Sequence, residues 1–257
     1  MPFPRSGPLV AWGTAYLLGR ASLDEADVHT VAEDVVHRVV GVPGAGEPVG
    51  WSVALGLLRR AGTTGLRLSL PEPGDPLGLP GPAALTEAAT QAGEAAVLDG
   101  EVRGVLVPTI GSEEAVVRWD LLPADPGLPV AGLPSVSEAE RELAEGMREG
   151  IATLEALGLA RGRDAVAEPL AAVDRAARPM LLPTTLPPRA VRLLEQATRL
   201  AAVVALARAD DGAAVTLVEA QQRESALRPL SRSARRALCA GYSAGLEPAH
   251  GGWPGGG

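Results

Sequence analysis

A chain of 257 residues with 46% hydrophobic side chains can bury a core, so wholesale disorder is excluded. All 23 of its basic residues are arginine, and against 31 acids they leave a net charge of −8, which argues against non-specific attraction to nucleic acid or an anionic membrane. The single cysteine, Cys239, rules out an intrachain disulfide framework and a cysteine-built zinc site, and with aromatics at 3% the core must be made of Leu, Val and Ala.

Arg5 and the apolar run Pro8–Leu18 have the outline of a signal peptide. Gly13 and Thr14 interrupt the run, one arginine is a poor basic region, and no clean small-x-small site follows. The segment therefore reads as an amphipathic first helix with Leu9, Val10, Gly13, Tyr16 and Leu17 on one face, and the protein as cytoplasmic. Ser22-Leu-Asp-Glu25 is a capping box. The helix it opens carries Val28, Ala32, Val35 and Val39 on one face and stops at Gly41-Val-Pro43. A third helix, Trp51–Ala61, bears Val53, Leu57 and Leu58. Then the period changes to two: Leu66-Arg-Leu-Ser-Leu70 alternates as a half-buried strand does. A proline-rich loop, Pro71–Pro82, leads to a helix over Ala83–Ala92. Ala95–Leu98, the turn pair Asp99-Gly100 and Glu101–Val107 predict a hairpin with Val97 opposite Val102. A fourth strand, Ala115–Leu121, sets Val117, Trp119 and Leu121 against Arg118 and Asp120 on its other side. Residues 1–122 are thus expected to form an α+β unit, a small antiparallel sheet with helices on one face.

Four prolines and two glycines fill Pro123–Pro134, so residues 123–136 read as a linker or strap. Beyond it the pattern is helical only, a bundle over residues 137–246. Ser137-Glu-Ala-Glu140 is read as a capping box for a helix bearing Leu143, Met147, Ile151 and Leu154 and ending at Gly158. Asp164–Arg178 is a further helix, starting at or kinked by Pro169. Pro188–Ala209 includes eight consecutive apolar residues, Leu200–Ala207. A membrane span needs about 20, so this is expected to be the central helix of the bundle, with Leu200, Val203, Val204 and Leu206 packed on several neighbours. Asp210-Asp-Gly212 ends it. Thr216-Leu-Val-Glu219 caps a helix to Leu227, Pro229 breaks it, and Ser231 caps a last helix with Leu238 and Tyr242 inward. Residues 247–257 read as a flexible glycine-rich tail. Residues 1–136 hold 8 arginines against 16 acids and residues 137–246 hold 15 against 14, a charge difference that suggests docking of the halves without locating the charges.

No catalytic set assembles. His29, Glu33 and His37 mimic a metal motif, but ligands eight residues apart rise about 12 Å along one helix and cannot share an ion. No G-x-S-x-G or phosphate loop is present, and Ser-x-x-Lys is impossible without lysine. Cys239, beside small residues on a helix, reads as a buried, inert thiol. The adjacent carboxylates Glu113-Glu114 and Asp210-Asp211 read as solvated charges. Gly146-x3-Gly150 marks a close helix approach inside the bundle, with a dimer contact as the alternative. The pair Thr216–Leu227 and Ser231–Tyr242 clusters arginines, of which Arg232, Arg235 and Arg236 are the candidates for contacting DNA if the pair is a helix-turn-helix. A helical hairpin closing the bundle is the preferred reading.

The segments Pro8–Arg20, Trp119–Asp125 and Pro188–Gly212 resemble uncharacterised proteins of high-GC actinobacteria. The resemblance implies a family without implying an activity, since none of the three carries a chemical motif. The expected function is a non-enzymatic interaction, regulatory or accessory protein, with no cofactor, metal or membrane, another protein as partner, and nucleic acid not expected. The alternatives are a DNA-binding regulator and a small-molecule binder or enzyme in a cleft between the halves, for which Trp51, Trp119, Arg189 and Arg192 are the candidate lining residues.

Overall fold

The computed structural model describes residues 4–31, 36–110, 116–125, 133–156, 181–209 and 217–247. The predicted helix Asp164–Arg178, the residues Ala32, Glu33, Val35, Gly158 and Thr216, the acidic pairs Glu113-Glu114 and Asp210-Asp211 and the tail from 248 lie outside them. The described residues form an α+β fold with seven α-helices and one six-stranded mixed sheet, ordered β2-β1-β6-β5-β4-β3.

The chain opens with α1 (Ser6–Leu17) and α2 (Leu23–Val31). Ser22 and Glu25 form the predicted capping box, and the Ser22 N–H and hydroxyl hold the Glu25 carboxyl below the usual carboxylate range. α1 is not amphipathic: Trp12 and Thr14, on the side expected to be polar, are as buried as Leu9 and Val10. The second helix ends earlier than its apolar spacing suggested. Val36–Val40 is strand β1, which buries His37 and Val39 and turns Arg38 outward. Its valines are β-branched, restricted in a helix and favoured on a pleated surface. Val28 therefore belongs to no apolar face and is 67% exposed. After the short β2 (Val49–Gly50), α3 (Trp51–Arg60) turns Trp51, Ala54, Leu55 and Leu58 inward. The large indole sets that face and leaves Val53 in solvent.

β3 (Thr63–Ser69) and α4 (Ala83–Ala92) follow, then β4 (Ala95–Gly100), β5 (Gly104–Ile110) and β6 (Val116–Pro123). The β4–β5 register differs from the hairpin expectation: Val97 lies opposite Val105, and Glu101–Arg103 form the connection. Asp99 and Gly100 do not turn back. They extend β4 along β3, where Gly100, at φ +119°, pairs with Thr63 and the Glu101 N–H donates to the Gly62 carbonyl. The sheet is not purely antiparallel, because β1 runs parallel to β6 from Val36–Val116 to Val40–Asp120. Nor are the helices confined to one face. Leu85 and Ala89 of α4 pack on Ala95, Val97, Val105 and Val107, opposite the main core. The apolar run Ala95–Leu98 is thus buried on both faces, as central strands are.

In the second half, α5 (Val136–Ala156) begins two residues earlier than expected, because Ser135, not Ser137, makes the capping box, with Glu138. α6 (Pro188–Ala209) has the predicted bounds, yet its buried side is Ala190, Leu193, Leu194 and Ala197. Of its apolar run only Val204 is fully buried, and Leu200, Val203 and Leu206 are half-buried. The central helix is α7 (Leu217–Ser243), which continues past Pro229, so there are not two helices there. Proline removes the bond to the carbonyl four residues back. Ser225, which carries that carbonyl, is exposed to water. Leu238 and Tyr242 face inward as expected. Small residues bring the neighbours close: a Cβ at Gly150 of α5 would meet Leu230 at 2.5 Å, and one at Gly241 would meet Leu194 of α6 at 2.6 Å. Gly146 meets Ser233 in the same way, so the Gly146-x3-Gly150 pair serves the intramolecular α5–α7 contact.

One continuous cluster of buried side chains takes Leu9 and Trp12 from α1, Leu55 from α3, Leu66 and Leu68 from β3, Trp119 from β6, Leu143 from α5, Leu193 from α6 and Tyr242 from α7. The outer edge of β3 is sealed by side chains. The Thr14 hydroxyl accepts from Leu66 N–H at 3.0 Å and donates to Leu66 C=O at 3.1 Å; Ser243 Oγ accepts from Leu68 N–H at 3.0 Å; Arg235 Nη1 donates to Leu70 C=O at 2.6 Å.

Because the core is continuous, denaturant unfolding followed by tryptophan fluorescence, dominated by Trp12, Trp51 and Trp119, and by far-UV circular dichroism is expected to give coincident curves. Two separated midpoints would contradict this. Thr14→Val, nearly isosteric, strands the two Leu66 backbone groups and is expected to cost about 1–3 kcal/mol in urea titration, while Thr14→Ser keeps most of the stability.

Candidate functional site

Among the described residues the arginines of α7 form a cluster of ion pairs. Opposite it, Glu72 and Asp75 exchange backbone hydrogen bonds of 3.0 and 2.9 Å across Pro73-Gly74. Gly74 takes the left-handed conformation this tight turn needs, at φ +83°. The neighbouring prolines stiffen the loop, and Ser69 Oγ donates to the Leu77 carbonyl at 3.0 Å. Leu77 itself sits at φ +43°, a strained position for a non-glycine residue, with its side chain buried.

Both carboxylates are thereby presented to Arg235, which is 7% exposed. Its Nη2 lies 2.9 Å from Asp75 Oδ2 and 3.2 Å from Glu72 Oε2. Arg232 approaches Asp75 at 3.7 Å, and Arg236 pairs with Glu142 of α5 at 2.7 Å. Ser231 Oγ donates to Glu72 at 3.4 Å, and Arg208 of α6 pairs with Glu224 at 2.9 Å. This network joins α7 to the 71–79 loop, to α5 and to α6. The three arginines nominated for DNA are engaged with carboxylates of the same chain, and no turn separates two helices there. The helix-turn-helix alternative is therefore corrected. Pro229, taken as the break between two helices, lies inside one.

The cleft candidates do not come together. Trp51 and Trp119 are 1% and 0% exposed, inside the main core. Trp119 Nε1 donates to His37 Nδ1 at 3.4 Å. Arg189 pairs with Glu140 at 2.7 Å on the outside of α6, and Arg192 is exposed on the same helix. The histidines also separate. His29 on α2 stacks on Trp12 with ring centroids 4.3 Å apart, whereas His37 is buried on β1. Among the described residues no group of three or more His, Cys, Asp or Glu is placed to hold a metal ion, and no helix is long and apolar enough to cross a membrane.

A surface not read from the sequence lies on the sheet. α4 covers β4 and β5 on the face opposite the main core. On that face β1 and β6 carry Val36, Arg38, Val40, Val116, Arg118 and Asp120, and Thr109 of β5 continues the row. Arg38 and Arg118 are register partners, both exposed, and Val116 is 39% exposed. A Cβ at Gly50, beside Arg38, would meet nothing within 4 Å. Arg118 is held by Asp120 at 2.7 Å. The alternation of residues 115–121 placed Arg118 correctly, but a helical reading of 36–40 hid Arg38.

Residues 6–135 match the N-terminal domain of the Rv1486c-like proteins and residues 137–239 match their C-terminal domain. The chain belongs to the Rv1486c-like family. It is 30% identical, over an alignment of 287 positions covering 96% of this chain and 97% of that protein, to the Uncharacterized protein Rv1486c of Mycobacterium tuberculosis strain H37Rv. The Uncharacterized protein MT1533 of strain CDC 1551 gives the same identity and coverage. No solved structure matches the chain. In this member of the family the arginine network crosses from one matched segment to the other, from Glu72 and Asp75 to Arg232 and Arg235.

Cys239 lies behind that network, fully buried. Burial pushes its thiol up to about 12, against the opposing effects of a Leu70 backbone hydrogen bond and the Arg235 and Arg236 charges. The thiolate is therefore scarce at neutral pH, and the sulfur is out of reach. Cys239 is expected to resist Ellman's reagent at pH 8 in the native protein and to react at once in denaturant. Rapid native labelling would overturn this placement.

Proposed function

We propose that the protein is a non-enzymatic cytoplasmic interaction or accessory protein, working by holding another protein. The observation that carries this reading is a half of one sheet face that no described helix covers: β1 and β6 present exposed Val116 and two half-buried valines beside a stretch that α4 covers. Sheets of this kind normally cover an apolar face with a helix or a partner. The reading is also supported by the inward placement of the reactive groups: His37, Cys239 and Arg235 are each built into the fold. In this reading residues 1–122 supply the binding surface, residues 137–246 brace it, and residues 123–136 connect them.

The test is size-exclusion chromatography with light scattering on the tagged full chain, expressed at low level in a mycobacterium. The expected result is co-elution with a second polypeptide at a mass well above the 26.2 kDa of the chain. Elution as a lone monomer would overturn the reading.

A further inference from the structure

From the bare half-sheet we infer that this face receives an amphipathic helix of a partner protein, with a carboxylate of that helix seated on Arg38. The inference rests on the interaction reading above and names the chemistry of the partner. It begins with the geometry of the layer. Strands lie about 4.8 Å apart, and a helix with its side chains is about 10 Å across, so one helix covers roughly two strands. α4 does this over β4 and β5. Among the described residues no helix lies over this face of the neighbouring pair, β1 and β6, which has the width for one more in the same layer. The five residues of β1 run about 17 Å. That matches about eleven helical residues, close to the ten of α4.

The chemistry of the face then selects the occupant. Val36, Val40 and Val116 offer an apolar strip. Between them Arg38 and Arg118 stand abreast. Arg118 is satisfied by Asp120. Arg38 is exposed and makes no ion pair among the described residues. Among the described residues the face therefore carries two arginines against one aspartate, on a chain whose net charge is −8. A surplus cation beside valines suits a helix with apolar residues on one side and Asp or Glu at the rim of that side. A second copy seated face to face is disfavoured, since a two-fold axis brings Arg38 and Arg118 against the same pair.

The experiment is site-specific photo-crosslinking with the full chain in a mycobacterium. Val116 is replaced by p-benzoylphenylalanine, with Val53 on α3, 54% exposed and on a different element, as the control position. Crosslinked peptides are sequenced by mass spectrometry. The Val116 probe is expected to join a segment of another polypeptide with apolar residues at helical spacing and flanking carboxylates. Arg38→Glu is expected to cut the yield roughly tenfold or more, and Arg38→Lys to retain most of it. Both variants should keep the parent's thermal midpoint, because Arg38 is exposed. A crosslink to a second copy, to another segment of the same chain, to nucleic acid, to a basic or non-helical segment, or one indifferent to Arg38→Glu would overturn the proposal. So would no crosslink at Val116. A crosslink at Val53 alone removes the docking face and leaves the interaction reading standing, whereas silence at both positions with monomeric elution removes both.

Discussion

The fold depends on how the last strand of its sheet is finished. β3 has a neighbour on one side only, and an unpaired strand edge is a row of unsatisfied donors and acceptors. Here three side chains from two helices occupy that row at alternate residues: Thr14 at Leu66, Ser243 at Leu68 and Arg235 at Leu70. Thr14 is the most economical of them, because one hydroxyl both accepts and donates and so imitates the pair of groups a neighbouring residue would offer. The seal demands close contact, and the small residues sit where it is closest. A Cβ at Gly13 would meet Leu66 at 2.7 Å, and one at Gly7 would meet the Tyr242 ring at 2.6 Å. The helices α1 and α7 are held to the sheet by polar bonds at its edge and by apolar packing behind it.

That arrangement draws polar side chains inward. Arg235 serves three masters at once, a strand carbonyl and two carboxylates of the 71–79 loop. Its role is to fix a proline-rich loop against a helix across a sequence separation of 160 residues. A guanidinium so placed is costly to desolvate and is retained where it specifies one arrangement of elements over others. The strained Leu77 backbone belongs to the same construction, since the buried leucine is held by the loop that Arg235 anchors.

Local patterns were legible in the sequence and non-local ones were not. Ala83–Ala92 and Pro188–Ala209 have the bounds their composition indicates, because caps, breakers and periodicity act within a few residues. Val36–Val40 was misread because Val28, Ala32, Val35 and Val39 happen to fit a helical stripe, while the partner that makes a strand of it, β6, lies 80 residues away. The same applies to the hairpin: Asp99-Gly100 is a good local turn signal, overridden by continued pairing with β3. Pro229 is a good local break signal, overridden in a helix that packs on both α5 and α6, and the residue whose carbonyl loses its bond, Ser225, is an exposed one. Within the candidate site, the arginines of α7 were visible as a cluster, but their acidic partners, far away in a loop, were not. The bare sheet face needs β1 beside β6 before Arg38 and Arg118 can be seen as neighbours.

The sealed edge also sets the order in which the chain can become safe from itself. Thr14 is made before β3, so the first bond of the seal, across 52 residues, is available early in synthesis. The bond from Leu68 spans 175 residues and waits for Ser243. Until the final helix has left the ribosome, β3 presents a half-finished edge, flanked by the apolar residues Leu66 and Leu68, to every other nascent chain. Contacts of such long range slow folding, because the closure entropy must be met before they can form. The edge of β3 is therefore complete only once residues 235–243 are in place, and the first half by itself leaves Leu68 and Leu70 without these partners.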